Sequence, residues 1–191
     1  MDMNGKLICF LSLLPLLAGC LGSAPQAPVN WTIETEATSV TRATAAKFGV
    51  VRVSQVVVRA PYDGVRLAVL RRDGSIAFDP FNAFASTPSL LLKGAACDVV
   101  AGSGLFSGVL AAGSSASAAN SLEITVTRLA LDCKVDGARN AVVEVSAVLL
   151  AGREIVAVVK GAGSMPSGDG NYSAAFSSAF TKALSEALQK L

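Results

Sequence analysis

Three consecutive segments of the chain read as strands, at positions 122–134, 141–150 and 154–161, and in the first of them apolar and polar residues alternate. A period of two residues is typical of β-strands that bury one face. Gly137 and Gly152 lie between these segments, in the short turns that such strands need. The pattern therefore predicts a three-stranded antiparallel meander in the second half of the chain.

Segments 48–59 and 66–71 are rich in β-branched residues and predict two further strands. Asp73 and Gly74 follow the second segment, and both residue types tolerate the backbone angles of a tight hairpin turn. Residues 75–78 are then expected to return as the partner strand of that hairpin.

Two shorter features refine this outline. The alternation in segment 122–134 slips near Arg128 and Leu129, which predicts a bulge or bend in that strand. Brief alternation at 31–35 indicates an edge strand close to the N-terminal end of the domain.

The hydrophobic period changes to that of a helix in two places. Thr87 followed by Pro88 predicts a helix that starts there and carries Cys97 near its end. Asn171 or Ser173 is predicted to cap a final helix with one apolar stripe, which faces the core. The stripe consists of Phe176, Ala179, Phe180, Ala183, Leu184, Ala187, Leu188 and Leu191.

Two stretches are dominated by small residues. Residues 102–120 are rich in Gly, Ser and Ala and predict a mobile loop, and residues 161–170 read as a turn-rich linker. Strand, hairpin, helix, meander and helix then follow in order. The expected fold class is α+β, a largely antiparallel or mixed sheet with two main helices packed on one face.

The N-terminus has the features of a secretory signal peptide. Lys6 precedes an apolar run at 7–17, and small residues follow up to Cys20. The run is too short to span a bilayer, which takes about 20 apolar residues. The motif Leu17-Ala18-Gly19-Cys20 resembles a bacterial lipobox, and that resemblance implies cleavage before Cys20 and lipidation of its sulfur and new amine.

This interpretation divides the chain into three parts. Residues 1–19 are the predicted lipoprotein signal peptide, 20–45 a lipidated tether containing prolines, and 46–191 a single α+β domain. Several acyl chains on one residue are enough for stable membrane anchoring. The alternative is an ordinary signal peptide with an incidental cysteine.

Composition excludes several kinds of chemistry. The chain has no histidine, which rules out a Ser-His-Asp triad, a Cys-His pair and a histidine-ligated metal. Its carboxylates are scattered, so no metal, cofactor or catalytic site is predicted. The charge is nearly balanced, +2 at pH 7, and no basic stripe with aromatics indicates nucleic acid.

A local excess of basic residues stands out between positions 42 and 72, where Asp63 is the one acid. A solvated strand face is the favoured reading, with an acidic partner or anionic lipid head groups as the alternative. The basic residues are Arg42, Lys47, Arg52, Arg59, Arg66, Arg71 and Arg72.

Four cysteines are present, but Cys9 leaves with the signal peptide and Cys20 carries lipid. Cys97 and Cys133 then form an even pair in an oxidising compartment and are candidates for a disulfide. Such a bridge would contribute roughly 4 kcal/mol under the chain-entropy model. Two separate buried thiols are the alternative.

The order of elements resembles the ABC-type transport auxiliary lipoprotein family, which includes paraquat-inducible protein C. The similarity covers residues 48–191 and rests on a first strand at 50–58, the Phe/Ala-rich segment 81–84 leading into a helix, the strand starting at 122 and the Ala/Ser/Phe/Leu-rich helix at 172–191. Phe81 or Phe84 stands where that family commonly has a tryptophan.

The resemblance implies a non-catalytic accessory subunit of an envelope lipid transport system, anchored on the periplasmic side of the outer membrane. Its expected partners are the membrane, a transporter subunit of the mammalian-cell-entry type, and further copies of itself. Leu21 follows Cys20 where an Asp would favour the inner membrane. Two alternatives are a lipid- or glycolipid-binding envelope lipoprotein and an activator of a cell-wall synthase.

Overall fold

The computed structural model describes residues 27–35, 42–135, 137–168 and 170–191. The predicted signal peptide and Cys20 lie outside these residues. The described part contains an eight-stranded sheet and two helices. In chain order the elements are β1 (Val29–Trp31), β2 (Val51–Val58), β3 (Arg66–Leu70), β4 (Ile76–Phe84), α1 (Pro88–Gly102), β5 (Val109–Ala111), β6 (Asn120–Asp132), β7 (Asn140–Ala151), β8 (Glu154–Pro166) and α2 (Tyr172–Leu188).

The sheet is built around β6, a strand of 13 residues. Strand β7 pairs antiparallel with the whole length of one side of β6, and β8 pairs antiparallel with β7. On the other side, β2 pairs in parallel with the first half of β6, and β3 pairs in parallel with its last two residues. On this side of β6 the sheet therefore has two branches. One continues from β2 to β5, and the other continues from β3 to β4 and then to β1.

Both helices lie on the same face of this sheet, so the expected α+β class with a mixed sheet and two main helices is confirmed. Helix α1 packs on β2, α2 packs on β7 and β8, and the helices touch each other. The core between the layers comes from alternate strand residues, such as Leu122 and Ile124 on β6, and from Phe176 and Phe180 on α2, all fully buried. Burial of apolar surface of this kind is the main stabilising term in folding.

Several sequence predictions are confirmed in detail. Strands β6, β7 and β8 form the predicted meander, and the register of β6 shifts between Val126 and Arg128, beside the predicted bulge. Gly74 has φ of +83° in the β3–β4 turn. Helix α1 begins at Pro88, and the side chain of Asn171 caps α2 by accepting a hydrogen bond from the Ala174 N–H at 3.2 Å.

The predicted linker at 161–170 is wrong in its first half, because β8 continues to Pro166. A Cβ atom on Gly161 would lie 2.0 Å from the carbonyl oxygen of Ala183, and one on Gly163 would lie 1.9 Å from that of Ala179. The strand therefore carries glycines because α2 approaches its backbone directly. In the sequence, the same glycines look like turn residues.

Two further segments are more ordered than their composition indicates. The loop 102–120 contains β5, and the Arg52 guanidinium donates hydrogen bonds to the carbonyl oxygens of Ser114, at 2.6 Å, and Ala116. Within the predicted tether, Trp31 and Ile33 pack against the main core, and Ile33 is 3% exposed. The described stretch 27–35 is thus part of the packed domain, and it includes the predicted edge strand as β1.

Strand β4 is longer than predicted. It runs to Phe84, so the segment 81–84 that resembled the entry of a helix is a strand followed by a short connection to α1. Among the described helices, none combines the length and apolar character needed to cross a membrane.

Candidate interaction surfaces

Of the predicted site residues, Cys97 and Cys133 lie within the described part of the chain. Cys97 lies on α1 and Cys133 directly follows β6, where its N–H donates to the carbonyl oxygen of Leu70 at 3.0 Å. Both are half-buried free thiols in the structure, so the disulfide considered for them is absent from it. Their bonding in the folded protein stays a prediction, as does lipidation of Cys20.

The two thiols are poorly suited to chemistry. Burial raises the pKa of Cys97, with a smaller effect from the nearby Asp98 carboxylate. Burial also raises the pKa of Cys133, although Arg139 acts in the opposite direction. Because the thiolate is the reactive form, both side chains are held in their less nucleophilic state.

Several charged residues of the described chain form ion pairs. No group of three or more Cys, Asp or Glu residues within the described ranges could hold a metal ion. Arg128 pairs with Glu144 at 2.7 Å across β6 and β7, and Glu186 pairs with Lys190 at 2.7 Å along α2. These pairs are partly exposed, which is typical of solvated surface contacts.

The basic residues between positions 42 and 72 do not form one site. Arg52 holds the small-residue loop, and Lys47 donates a hydrogen bond to the backbone oxygen of Leu191. Arg66 lies over the ring of Phe78, 5.2 Å from its centroid, whereas Arg71 and Arg72 are exposed at the β3–β4 turn. The sheet separates residues that are close in the sequence.

A small cavity lies between the C-terminal ends of the two helices. It measures about 280 Å³ and is lined mainly by Arg42, Leu105, Ser185, Leu188 and Gln189. Ligand pockets usually measure about 300–1,000 Å³ and bury most of a bound molecule. This cavity is therefore below the size expected for a lipid or glycolipid.

The β7–β8 hairpin carries exposed apolar side chains. Ile155, Val156 and Val158 are 66%, 48% and 56% exposed, respectively. Leu150 and Val148 lie opposite Ile155 and Val158 on β7 and are half-buried. We call these five residues the hairpin patch. Exposed apolar groups collected in one place mark interaction sites more often than scattered ones do.

Strand β8 is an edge of the sheet, and its second half is covered by side chains. The Ala162 N–H donates to the Glu186 carboxylate at 3.0 Å, and the Lys190 ammonium donates to the Lys160 carbonyl at 2.6 Å. A register shift between Leu149 and Leu150 also interrupts the pairing near the hairpin. Charged side chains and bulges of this kind hinder pairing with another strand, so the hairpin patch is suited to contact through its face.

A second set of exposed apolar residues lies at β1 and the first part of β4. Val29, Ile76, Phe78 and Phe81 are 48%, 38%, 38% and 53% exposed, respectively. We call these four residues the aromatic edge. Strand β1 pairs only with Asn82, Ala83 and Phe84, so in the described chain the preceding part of β4 has no neighbour on that side.

The two surfaces lie at opposite ends of the sheet. The β7–β8 turn is level with Asn120, where β6 begins, because Asn120 pairs with Ala151. The β3–β4 hairpin is level with the end of β6, because Leu70 pairs with both Asp132 and Ile76. At about 3.3 Å per residue, β6 separates these levels by about 40 Å.

The sequence contained a signal for each surface that its interpretation did not use. Ile155 and Val156 are consecutive apolar residues, as are Val158 and Val159, in a segment where alternation calls for polar partners. Phe78 and Phe81 were assigned to the end of a strand and the start of a helix, so their common position on β4 was missed.

No protein-family model matches the sequence, and no curated protein matches it significantly. Among solved structures, the chain is similar to a Xanthomonas campestris protein assigned to the family model DUF330, with 20% identity and a TM-score of 0.63, over 86% of this chain and 91% of that one. It is also similar to an uncharacterised protein, with 15% identity and a TM-score of 0.57, over 77% and 85% of the two chains.

A weaker likeness links the chain to PelC from Paraburkholderia phytofirmans, which was crystallised as a dodecamer. The identity is 18% and the TM-score 0.46, over 81% of this chain and 95% of that one, and this is too distant to support an argument. At these levels of identity, the two stronger matches show a shared fold. Membership of the paraquat-inducible protein C family stays a prediction.

Proposed function

We propose that this protein is a lipid-anchored, non-catalytic accessory subunit of an ABC-type envelope lipid transport system. In this proposal Cys20 carries the lipid and holds the domain on the periplasmic side of the outer membrane. The domain binds a transporter subunit of the mammalian-cell-entry type and turns over no substrate. The shared fold with a DUF330 protein is consistent with this role but does not specify it.

The observation that carries the proposal is the position of the hairpin patch. Ile155, Val156 and Val158 lie near the end of the sheet opposite the β3–β4 hairpin, about 30–36 Å away along β6. The chain enters the sheet through β1, on the side of the β3–β4 hairpin. A domain tethered through that entry presents the hairpin patch away from its membrane, where a periplasmic partner can reach it.

The size of the patch fits a docking role. Three branched side chains that are about half exposed or more, next to Val148 and Leu150, form an apolar centre with Arg153, Glu154 and Lys160 around it. An apolar centre with a polar rim is the usual anatomy of a protein interface. Burial of each such side chain by a partner contributes about 1.5–3 kcal/mol at most.

The alternative functions have less support in the structure. A lipid- or glycolipid-binding protein needs an enclosed apolar volume, and the cavity between the helix ends is only about 280 Å³. Two larger clefts, of about 610 and 650 Å³, are open to solvent; the first lies along the Ser- and Thr-rich side of α2 and the second between the turns at 137–140 and 166–170. A synthase activator could use the same hairpin patch, and the test below separates the two partners. Association of several copies around the partner is also part of the proposal, and the mass of the purified protein in solution measures it.

The test is affinity purification of the lipidated full-length protein from detergent-solubilised membranes, followed by identification of the bound proteins. We expect an ATPase, a permease or a mammalian-cell-entry subunit to be recovered. Changing both Ile155 and Val158 to Ser should remove these proteins from the eluate, because it takes away the apolar centre of the patch. Both side chains are more than half exposed, so the domain should stay folded.

The matched control changes Phe78 and Phe81 to Ser, which also replaces two exposed apolar residues on an edge strand. This variant should recover the same partners as the wild type. Recovery of a cell-wall synthase without any transporter component would refute the proposal. Equal loss with both pairs of substitutions would show that the hairpin patch has no particular role.

A further inference from the structure

We infer that the aromatic edge rests on the lipid surface to which the chain is tethered. This inference depends on the proposed lipid anchor at Cys20 and adds an orientation to it. Val29, Ile76, Phe78 and Phe81 would contact the head-group region of the bilayer. In this inference, the bilayer is the binding partner of this exposed apolar surface.

The direction of β1 supports this orientation. Strand β1 runs parallel to β4, with Val29 opposite Asn82 and Trp31 opposite Phe84. Following the chain backwards from Val29 therefore leads along β4 towards Phe81, Phe78 and then Ile76. The described chain therefore begins on the side of β1 where the aromatic edge lies.

The length of the connection is short. Seven residue steps separate Cys20 from Ala27, the first described residue. A fully extended chain spans at most about 3.6 Å per residue, so this connection reaches no more than about 25 Å. The connection therefore holds Ala27, two residues before Val29 of β1, within about 25 Å of the lipidated sulfur.

The chemistry of the edge suits an interface between water and lipid. Three of its four side chains lie within six residues on one edge strand, and two of them are aromatic. Arg66 lies over Phe78, and Arg71 and Arg72 are exposed in the adjoining turn. Apolar and aromatic side chains next to cations are the combination that interfacial segments use on membranes.

The two carboxylates close to these arginines, Asp73 and Asp79, accept hydrogen bonds from neighbouring groups of the protein. The Asp73 carboxylate accepts hydrogen bonds from the Ser75 N–H at 2.9 Å and from its hydroxyl at 2.6 Å. The Asp79 carboxylate accepts from the N–H groups of Phe81 and Asn82, at 2.8 and 3.1 Å. These contacts fix the turn and the strand beside the exposed rings of Phe78 and Phe81.

The test uses the lipidated full-length protein in vesicles of phosphatidylethanolamine and phosphatidylglycerol, with and without brominated acyl chains. A tryptophan placed at Phe81 (Phe81→Trp) should lose most of its emission in brominated vesicles, because bromine quenches at contact. The matched control, Ile155→Trp, places the probe in the hairpin patch and should keep its emission. Trp31 is the one native tryptophan, and the wild-type protein supplies its background.

The outcomes separate this inference from the proposed anchor. If Phe81→Trp is membrane-bound but unquenched, or if both probes are quenched equally, the aromatic edge does not rest on lipid although the anchor exists. If the wild-type protein and Cys20→Ala are equally absent from membranes, the anchor itself is refuted. Changing Phe78 and Ile76 to Ser should weaken the quenching of Phe81→Trp, whereas changing Val158 to Ser should leave it unchanged.

Discussion

The hairpin patch and the aromatic edge are alike locally and differ in where the chain places them. Both contain exposed apolar residues on strands at the border of the sheet, with basic residues nearby. The aromatic edge adjoins β1, through which the tether enters, and the hairpin patch lies at the far end of β6. Strand direction and register, rather than composition, place one surface beside the entry of the tether and the other at the far end of the sheet.

The two surfaces lie on one continuous hydrogen-bonded sheet. Strands β6, β7 and β8 pair over almost their whole length, and α2 packs along β8 at backbone contact. Substitutions in the tether, the core packing, the thiols and the surface charges should change membrane binding or stability by different amounts.

The largest expected effect comes from removing the anchor. Changing Cys20 to Ala should release the protein from membranes or leave its signal peptide uncleaved, because the acylated sulfur is lost. Membrane fractionation with detection of the precursor and mature forms measures this. An unchanged, fully processed and membrane-bound product would refute the lipoprotein interpretation, and the two ends of the sheet would then lose their distinction.

The next largest effect should come from the contact between β8 and α2. Changing Gly163 to Ala would place a Cβ atom 1.9 Å from the Ala179 carbonyl oxygen, so the helix has to move. Overpacking of this kind costs about 1–3 kcal/mol of unfolding free energy, and more where backbone has to shift. Urea denaturation of the wild type and the variant provides the measurement.

The matched control for this substitution is Gly64→Ala. Gly64 has open space around a Cβ position and is not among the glycines with positive φ, so its replacement should change the stability little. If Gly163→Ala proves as stable as Gly64→Ala, α2 does not lie at backbone contact with β8.

A smaller effect is expected for the two thiols, one of which lies near the β3–β4 end. Because burial raises the pKa of both Cys97 and Cys133, less thiolate is present in the folded protein at pH 8 than in free cysteine. Alkylation should therefore be slower in the folded protein, and it should speed up as the pH rises towards the raised pKa values.

Denaturation without a reductant should expose both thiols to titration if neither is bonded. If no free thiol reacts in the denatured mature protein, Cys97 and Cys133 form a disulfide. A bridge would then tie α1 to the end of β6 and add a covalent constraint close to the aromatic edge.

The smallest effect concerns the ion pair between Arg128 and Glu144, which lies beside the bulge between the two ends. The side chains are 40% and 41% exposed, so solvent screens the attraction. A double-mutant cycle with Ala at both positions should give a coupling of about 0.2–1 kcal/mol, decreasing with added salt. A much larger coupling would mean that the ion pair holds the bulge and helps to set the direction of β6.

The meander and both helices were predictable because their signals are local. Alternation in β6, the turn glycines, Pro88 and the cap at Asn171 each act over a few residues. The pairing of β2 and β3 with one side of β6 was not predictable, because such parallel contacts join residues far apart in the chain. The second half of β8 was missed for a related reason, since its glycines are explained by a helix more than ten residues later.

The sequence by itself determined the fold class, the two amphipathic helices, the absence of histidine chemistry and the lipobox-like motif at Cys20. These follow from residue identity and short periodicity. The tertiary structure alone decided which exposed apolar residues share a surface and which end of the sheet adjoins the tether. Ile155 and Phe81 look equivalent as apolar residues in strands, and only the parallel pairing of β1 with β4 separates them. The physical reason is that strand partners are selected by packing of the whole core, which no local pattern encodes.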